Sequence, residues 1–534
     1  MSDQIEPTDM ALTLRAQLER RHRKGGANGV AESRRAQHTR QAYKLFLMPA
    51  GVAKRLQRLP EDVRALVELA ITRFGGLMTR SLCQKAGGSA GAFDRDDLAH
   101  LLEEALVGTV GRLDLRRYGI AIAEPTLCVF QEICLVSLRA RGAPRPPSER
   151  VVGVNLATDV MRFLRYIDEE AVRFTVQGEI FKATRKRMLG RLLAETSEEA
   201  ETSLAFIQRF ALARRLVERT GERTLSLSDA GRSFEQKDVA DKLKDLLSFA
   251  IADPGGAGDA FHQIKLRRVL LRLLRRVDAE VWYDPMYLPF LARNSYLAQL
   301  DRPATATYYA TGRGPLDDMQ ELSWHLFHWI RKRLHPLGIV DLGFEGGHAV
   351  ALRLSKVGAS LLAGVSAQAA EGARSTLVVN PDFDVLLFPE ADAWDLVHTL
   401  DRFATRTGSE HLFRFVLTEE SVRSALSDGM GVGEILGVLT DRTRTPLPQN
   451  VVFSLRDWGE RAGAVRIDGS GSLRALRTET LTRLLANGPV REMTDVDGNR
   501  VRVRKGVRIE DFRAVLRDLG FCLEVGRSDR DECA

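Results

Sequence analysis

The tightest constraint on this chain is a ten-residue pattern that occurs three times: VRFTVQGEIF from position 172, LSLSDAGRSF from 225 and LRLSKVGASL from 352. Each runs apolar, any residue, apolar, Ser or Thr, two residues, Gly, two residues, apolar. Alternation of period two is a strand signal, and a hydroxyl at the strand's end can cap a following helix. Thr175, Ser228 and Ser355 supply the hydroxyls, while Gly178, Gly231 and Gly358 let two backbones approach closely. Three strand-to-helix joints at uneven spacing predict a tandem array of related modules, not a regular solenoid.

The residues around these joints support that expectation. Val63, Leu66, Val67, Ala70, Ile71 and Phe74 fall at helical spacing, and Gly75-Gly76 ends the run. Asp94 stands where it could cap a second amphipathic run through Leu98, Leu101, Leu102, Ala105 and Leu106, after which GTVGRLDL and YGIAIAE read as paired strands. Helices followed by a small hairpin within about a hundred residues indicate a winged helix-turn-helix. A similar unit begins near Asn155, and another with the helix at 262–277. A chain of 534 residues exceeds what one core supports and calls for about three to five domains.

The expected fold is therefore multidomain and mainly α with α+β parts. Residues 1–50 form a basic flexible segment, and 51–150, 151–255 and 256–373 form winged-helix-like domains. Residues 374–467 form a compact α+β domain and 468–534 a small α+β module. In the first segment, nine Lys and Arg between Arg15 and Lys44 face only Glu19 and Glu32, and KGGANGV between them lacks the large apolar groups that would offset the entropy of ordering. A net charge of +7 permits a polyanionic partner without requiring one. No apolar run approaches the length of a membrane span and the N-terminus lacks a secretion signal, so a cytoplasmic protein with no membrane contact is expected. Cys83, Cys128, Cys134, Cys522 and Cys533 are scattered, without zinc-site pairing, and read as reduced structural thiols.

The C-terminal third carries four ordered motifs: LVVNPDFDVLLFP, the helix DAWDLVHTLDRFA, FRFVLTEESVRSALSDGMGVGEILGVL and TPLPQNVVFSLRDWGERAGAVRI. Over roughly 377–467 they resemble the XPB N-terminal-like, helicase-associated domain. That resemblance implies a module working beside a superfamily-2 DNA helicase and touching DNA or the helicase. It supplies no motor: the chain has neither a G-x-x-x-x-G-K-[ST] loop for nucleotide phosphates nor a D-E-x-H segment. The expectation at this point is a chain that is not an enzyme, has no catalytic or metal-binding residues and takes no cofactor.

Four acidic residues test that expectation. Placed in one strand, Asp382 and Asp384 would share a face and could hold a divalent ion, which would make the chain a metal-dependent nuclease subunit. Glu390 and Asp392 sit at the start of the helix ADAWDLVHTL, where negative charge favours the helix dipole. No His or Lys nearby has nuclease spacing, so these carboxylates read as cap and solvent edge. His325 and His328, between Trp324 and Trp329 and with His335 beyond, lack a clear third zinc ligand and read as part of an aromatic helix that packs.

The candidate DNA contacts are basic. In FHQIKLRRVLLRLLRRVD, 261–278, Leu266, Leu270, Leu273, Leu274 and Val277 gather on one side while Lys265, Arg268, Arg272, Arg275 and Arg276 form a stripe opposite. A helix at 179–193 offers Lys182 and Lys186 where a recognition helix could lie. The strand RVRVRK sets Arg500, Arg502 and Arg504 on one face, as a wing or a charge-protected edge. Each cation has an ordinary alternative as a solvated face. The leading expectation is a DNA-binding accessory protein that associates with an XPB-like helicase on a separate chain. A winged-helix transcriptional regulator, the nuclease subunit and a protein scaffold are the competing readings.

Overall fold

In the computed structural model, residues 11–24, 48–363 and 375–525 are described, apart from short stretches within the last two ranges. The chain divides into two compact units, Met1–Val365 and Ser366–Ala534. Helices dominate both, with several small sheets.

The first unit opens with helix α1 (Leu14–Lys24). This differs from the flexible segment expected for 1–50, because the Glu132 carboxylate accepts hydrogen bonds from the Leu14 amide (2.8 Å) and the Arg15 amide (3.3 Å). Two of the orphan donors of the first turn are thereby satisfied by another part of the fold. Lys24 of KGGANGV ends this helix, and residues 25–30 lie outside the described residues.

Next come α2 (Glu61–Phe74), β1 (Leu77–Thr79), α3 (Arg80–Lys85), α4 (Leu98–Glu104), β2 (Gly108–Asp114), β3 (Ala123–Val129) and α5 (Gln131–Ala140). Glu61 and Asp62 favour the dipole at the start of α2, and Gly75, at φ 64°, ends it in the left-handed region. Asp94 is not the cap of α4. It closes a short helix at Ala90–Phe93 and accepts the Arg80 guanidinium (2.7 Å). The hairpin partner of β2 also starts later than expected, since Ile120–Ala121 pairs in parallel with Asp317–Asp318.

A strand β4 (Ser148–Arg150) leads to α6 (Asn155–Glu169), β5 (Val172–Arg173), α7 (Lys182–Leu189), α8 (Ser197–Ala213), β6 (Val217–Thr220), β7 (Thr224–Leu227) and α9 (Val239–Ala252). Then follow α10 (Ala260–Leu274), α11 (Tyr287–Ala298), α12 (Met319–Trp329), β8 (Val340–Glu345) and β9 (His348–Leu354).

These elements repeat one unit three times. In each, a helix ends on a left-handed residue: Leu106 (φ 55°), Arg215 (φ 55°) or Gly338 (φ 70°). The next amide turns back onto the helix, Val107 to Leu102 (2.9 Å), Leu216 to Ala211 (2.8 Å) and Ile339 to Leu334 (2.9 Å). A hairpin follows. Its second strand ends with an amide bonded to that same corner: Phe130 to Val107 (2.9 Å), Ser228 to Leu216 (3.0 Å) and Ser355 to Ile339 (3.1 Å). An earlier strand lies beside the hairpin's last one, giving orders β1-β3-β2 and β5-β7-β6. In the third copy Tyr283 takes that place, exchanging hydrogen bonds with Leu352, and β4 extends the far side of the sheet on β8.

Two of the three sequence joints therefore mark equivalent places. Ser228 Oγ accepts from Gly231 N (3.0 Å) and Ser355 Oγ from Gly358 N (2.9 Å), starting the next helix. A Cβ on Gly231 would lie 2.3 Å from the Leu216 carbonyl oxygen, and one on Gly358 2.1 Å from that of Ile339. The pattern at 172 is different: Val172–Arg173 is the early strand β5, and Gly178 lies outside the described residues. The first copy carries Phe130 and Ile133 at the Ser and Gly positions, so the pattern does not reveal it.

Copies one and three are locked together by Arg293, fully buried on α11. Its guanidinium donates to the Phe74 carbonyl (2.7 Å) and to Gln320 Oε1 (2.9 Å), while Asn294 Nδ2 donates to the Gly75 carbonyl (2.6 Å). The last carbonyls of α2 are thus satisfied by side chains of α11.

The second unit holds two sheets. The first, of order β10-β11-β13-β12, comprises β10 (Thr376–Val379), β11 (Asp384–Phe388), β12 (Thr405–Ser409) and β13 (Phe413–Val416). Helices α13 (Ala393–Phe403), α14 (Glu419–Ser427), α15 (Val432–Arg442) and α16 (Gln449–Arg461) accompany it. The second comprises β14 (Ala464–Ile467), β15 (Ser472–Ala475), β16 (Thr494–Asp497), β17 (Arg500–Val503) and β18 (Cys522–Val525), in the order β16-β17-β15-β14-β18. Val465, Leu473, Val501, Phe512, Leu516 and Leu523 form its core. Among the described residues, no helix is long and apolar enough to cross a membrane.

Candidate nucleic-acid interface

Helix α10 begins at Asp259, whose carboxylate accepts the Phe261 amide (3.0 Å). Leu266, Leu270, Leu273, Leu274 and Val277 are buried, which fixes the rotation of the helix and turns the opposite side outward. Arg268, Arg272 and Arg275 are exposed there, at i, i+4 and i+7, and among the described residues none of the three is ion-paired. At 1.5 Å per residue they span about 10 Å along the axis. Arg276 is exposed beside them. Lys265 is less available: its ammonium lies 3.6 Å from the centre of the Phe261 ring, and burial lowers its pKa.

The same run contains Arg267, which points inward and which the stripe does not include. It donates to the carbonyls of Ile251 (3.1 Å) and Asp253 (2.8 Å) at the end of α9, and burial brings its pKa down to about 10. Nearby, Arg209 pairs with the buried Asp253 (2.8 Å) and Arg333 lies 3.7 Å from it. Helix α10 is thus clamped by a cation on its inner face and presents cations on its outer one.

The other basic candidates are placed less favourably. Lys182 and Lys186 are exposed on α7, while Arg185 donates to Glu201 (2.9 Å). The helix that precedes the hairpin of this copy is α8, not α7, and its first turn carries Glu198 and Glu199. Lys182 and Lys186 thus lie on the helix before the one that leads into the hairpin. Arg500 and Arg502 are exposed, but Asp497 and Asp495 lie directly across from them on β16, and Arg504 pairs with Asp495 (3.1 Å). Cross-strand acids offset those arginines. Because the chain folds back through β16, β17 is an inner strand between β16 and β15, not an edge. These arginines belong to the second unit, and the α10 stripe and the α7 lysines to the first.

The carboxylates do not form a strand face. Asp382 sits in the turn between β10 and β11 and accepts the Asp384 amide (3.3 Å), whereas Asp384 opens β11 and faces Arg414 (3.7 Å). Phe383 between them is left-handed (φ 71°), which turns the two side chains apart. The motif's role is structural: Asn450 at the start of α16 donates to the Pro381 carbonyl (2.6 Å), and the Phe383 ring packs 5.4 Å from that of Trp458. Glu390 and Asp392 lie outside the described residues. Among the described residues, no group of three or more His, Cys, Asp or Glu could hold a metal ion.

In α12, Trp329 is buried as expected, but Trp324 is 54% exposed and His328 lies beside it on the surface. His325 approaches the buried Asp317 (3.5 Å), and His335 Nδ1 meets the Val340 carbonyl (3.0 Å). The histidines thus point to separate partners. Cys83, Cys128 and Cys134 are free and buried, and burial raises their pKa.

The family model described as a helicase conserved C-terminal domain matches residues 377–496. It takes in the four-stranded sheet and continues through β14, β15 and β16. This part of the chain is similar to a helicase domain, and the match points to a helicase-related protein. It also corrects the expectation of a chain that is not an enzyme, because helicase-type proteins are usually ATP-hydrolysing enzymes. None of the curated proteins matches the chain.

Proposed function

We propose that this chain works within a helicase-type enzyme as the part that grips DNA, through three winged-helix-like domains at 51–150, 151–255 and 256–373 and an XPB N-terminal-like domain that begins near 374. Its partner is an XPB-like superfamily-2 helicase on a separate chain. The observation that carries the reading is the row of Arg268, Arg272 and Arg275 on α10, exposed and without an ion-pair partner among the described residues. Such a row neutralises phosphates whatever the base sequence, so it positions the protein without selecting a site.

The test is binding of a fluorescent 20-base-pair duplex across a salt series. Replacing all three arginines by glutamine is expected to shrink the log-log salt slope by about 2.7, from 0.9 per lost phosphate contact. Equal slopes for the two proteins would remove α10 from the interface. Co-purification with an XPB-like helicase, and ATP hydrolysis measured for each chain and for the pair, test the rest. Loss of the partner without loss of DNA binding would separate the two halves of the proposal.

A further inference from the structure

The helix that precedes the hairpin differs among the three copies. In α4 the outward His100 and Glu104 face each other at 3.6 Å, and α8 opens on Glu198 and Glu199. Neither helix surface suits a polyanion, and Glu198 also pairs with Lys332 (3.5 Å), which neighbours Arg331 in sequence. In α12 the equivalent outward side carries Trp324, His328 and Arg331, all exposed, at i, i+4 and i+7. Helix α12 runs on into a π-helical turn, Ile330–Leu334, which sends Arg333 into the core beside Asp253 and leaves Arg331 outside. Arg331 has no ion-pair partner among the described residues. The Trp324 and Phe327 rings meet in a T-shaped arrangement, 6.4 Å between centres, and Trp324 stays 54% exposed.

A large, exposed aromatic ring costs solvation unless something covers it, and a free guanidinium two turns away along the same stripe fits an anionic occupant. An unpaired nucleic acid strand offers both halves, a flat base and a phosphate. We propose that Trp324 and Arg331 form a stacking site for single-stranded DNA, distinct from the arginine row of α10. Trp324 takes a base face and Arg331 a backbone phosphate. A duplex keeps its bases stacked on each other, so it does not use Trp324. The proposal goes beyond DNA gripping by α10 and stands on different residues.

The experiment compares wild type, Trp324→Ala, Arg331→Gln and the α10 triple glutamine variant against a (dT)20 strand, an abasic strand of equal length and a 20-base-pair duplex. Trp324→Ala is expected to weaken (dT)20 binding about tenfold, within the range for one stacked base, and to leave abasic and duplex binding within twofold. Arg331→Gln is expected to reduce the single-strand salt slope by about 0.7. Tryptophan emission of the wild type should fall on adding (dT)20, and Trp324→Phe should abolish that fall while keeping most of the affinity. Because Trp324 is exposed, an unchanged melting curve checks that these variants fold. Unchanged (dT)20 affinity of Trp324→Ala, or an equal loss for all three nucleic acids, overturns the proposal, as does a Trp324 that protects only a protein contact. Duplex binding by the triple variant reports on α10 alone, so failure of either site is read separately.

Discussion

Gly358→Ala tests the repeated corner directly. An ideal Cβ there would sit 2.1 Å from the Ile339 carbonyl oxygen, 2.8 Å from its carbon and 2.9 Å from its Cα, all main-chain atoms. A carbon resting against a carbonyl oxygen needs roughly 3.3 Å, so one backbone must retreat by about an ångström. That movement strains the Ser355-to-Ile339 bond (3.1 Å) and the Gly358-to-Ser355 cap (2.9 Å), worth about 1 kcal/mol each. Overpacking adds about 1–3 kcal/mol, and the better helix propensity of alanine returns up to about 1 kcal/mol. The expected net loss is about 2–3 kcal/mol in the first unit, read as a shift in its urea transition and as faster amide exchange at Ser355 and Gly358. Gly437→Ala in α15 is the matched control: nothing lies within 4 Å of its Cβ, so it should stabilise the second unit by about 0.5–1 kcal/mol. Opposite signs for the same chemical change are the signature. A Gly358→Ala protein as stable as wild type would refute the close approach at this corner.

Asp253 links stability to acid. Burial alone would raise its carboxyl, but the Arg209 hydrogen bonds, the Gly255 amide and the charges of Arg209 and Arg333 outweigh that and hold it below the ordinary range. Its contribution is complete above the unfolded value of about 4 and is lost as pH falls through the lower folded value. Asp253→Asn should cost about 3 kcal/mol at pH 7 by leaving buried guanidinium charge unpaired, and should flatten that acid limb in pH-dependent denaturation. Asn450→Ala should cost the second unit about 1 kcal/mol by freeing the Pro381 carbonyl, measured by thermal melting. Asp382→Ala should leave DNA intact or cut to the same extent with and without magnesium; a metal-dependent loss of cleavage would restore the nuclease reading.

What the sequence disclosed follows from which constraints are local. The amphipathic stripe of α10 was legible because its leucines must face a core, and the same rotation exposes Arg268, Arg272 and Arg275. The repeated unit was legible only where the corner is tight enough to demand serine and glycine, at Ser228 and Gly231 and at Ser355 and Gly358. At Phe130 and Ile133 the first copy makes the same turn without them. The left-handed corner itself is hidden in two copies, since Leu106 and Arg215 carry side chains that ordinarily avoid that region and are held there by hydrogen bonds to a preceding helix. The acids opposite β17 were also present in the sequence, in TDVDGNRVRV, but their effect depends on the antiparallel register that sets Asp495 across from Arg502. Trp324 and Trp329 differ by five residues, and only the packing of α12 decides which is buried.

Three copies of one unit have put the same surfaces to different uses. In the first, the hairpin loop is spent on packing: Tyr118 is buried, and a Cβ on Gly119 (φ 77°) would lie 2.3 Å from the Tyr309 ring of the third copy. Ile120–Ala121 is tied by its pairing to Asp317–Asp318. That loop cannot also lie in a DNA groove without undoing the contact between copies. In the second, the helix before the hairpin presents glutamates. The DNA contact proposed for this unit would then fall to the outer rows of α10 and α12 in the third copy, and a charge reversal in the first copy's hairpin should disturb stability before it disturbs any DNA binding.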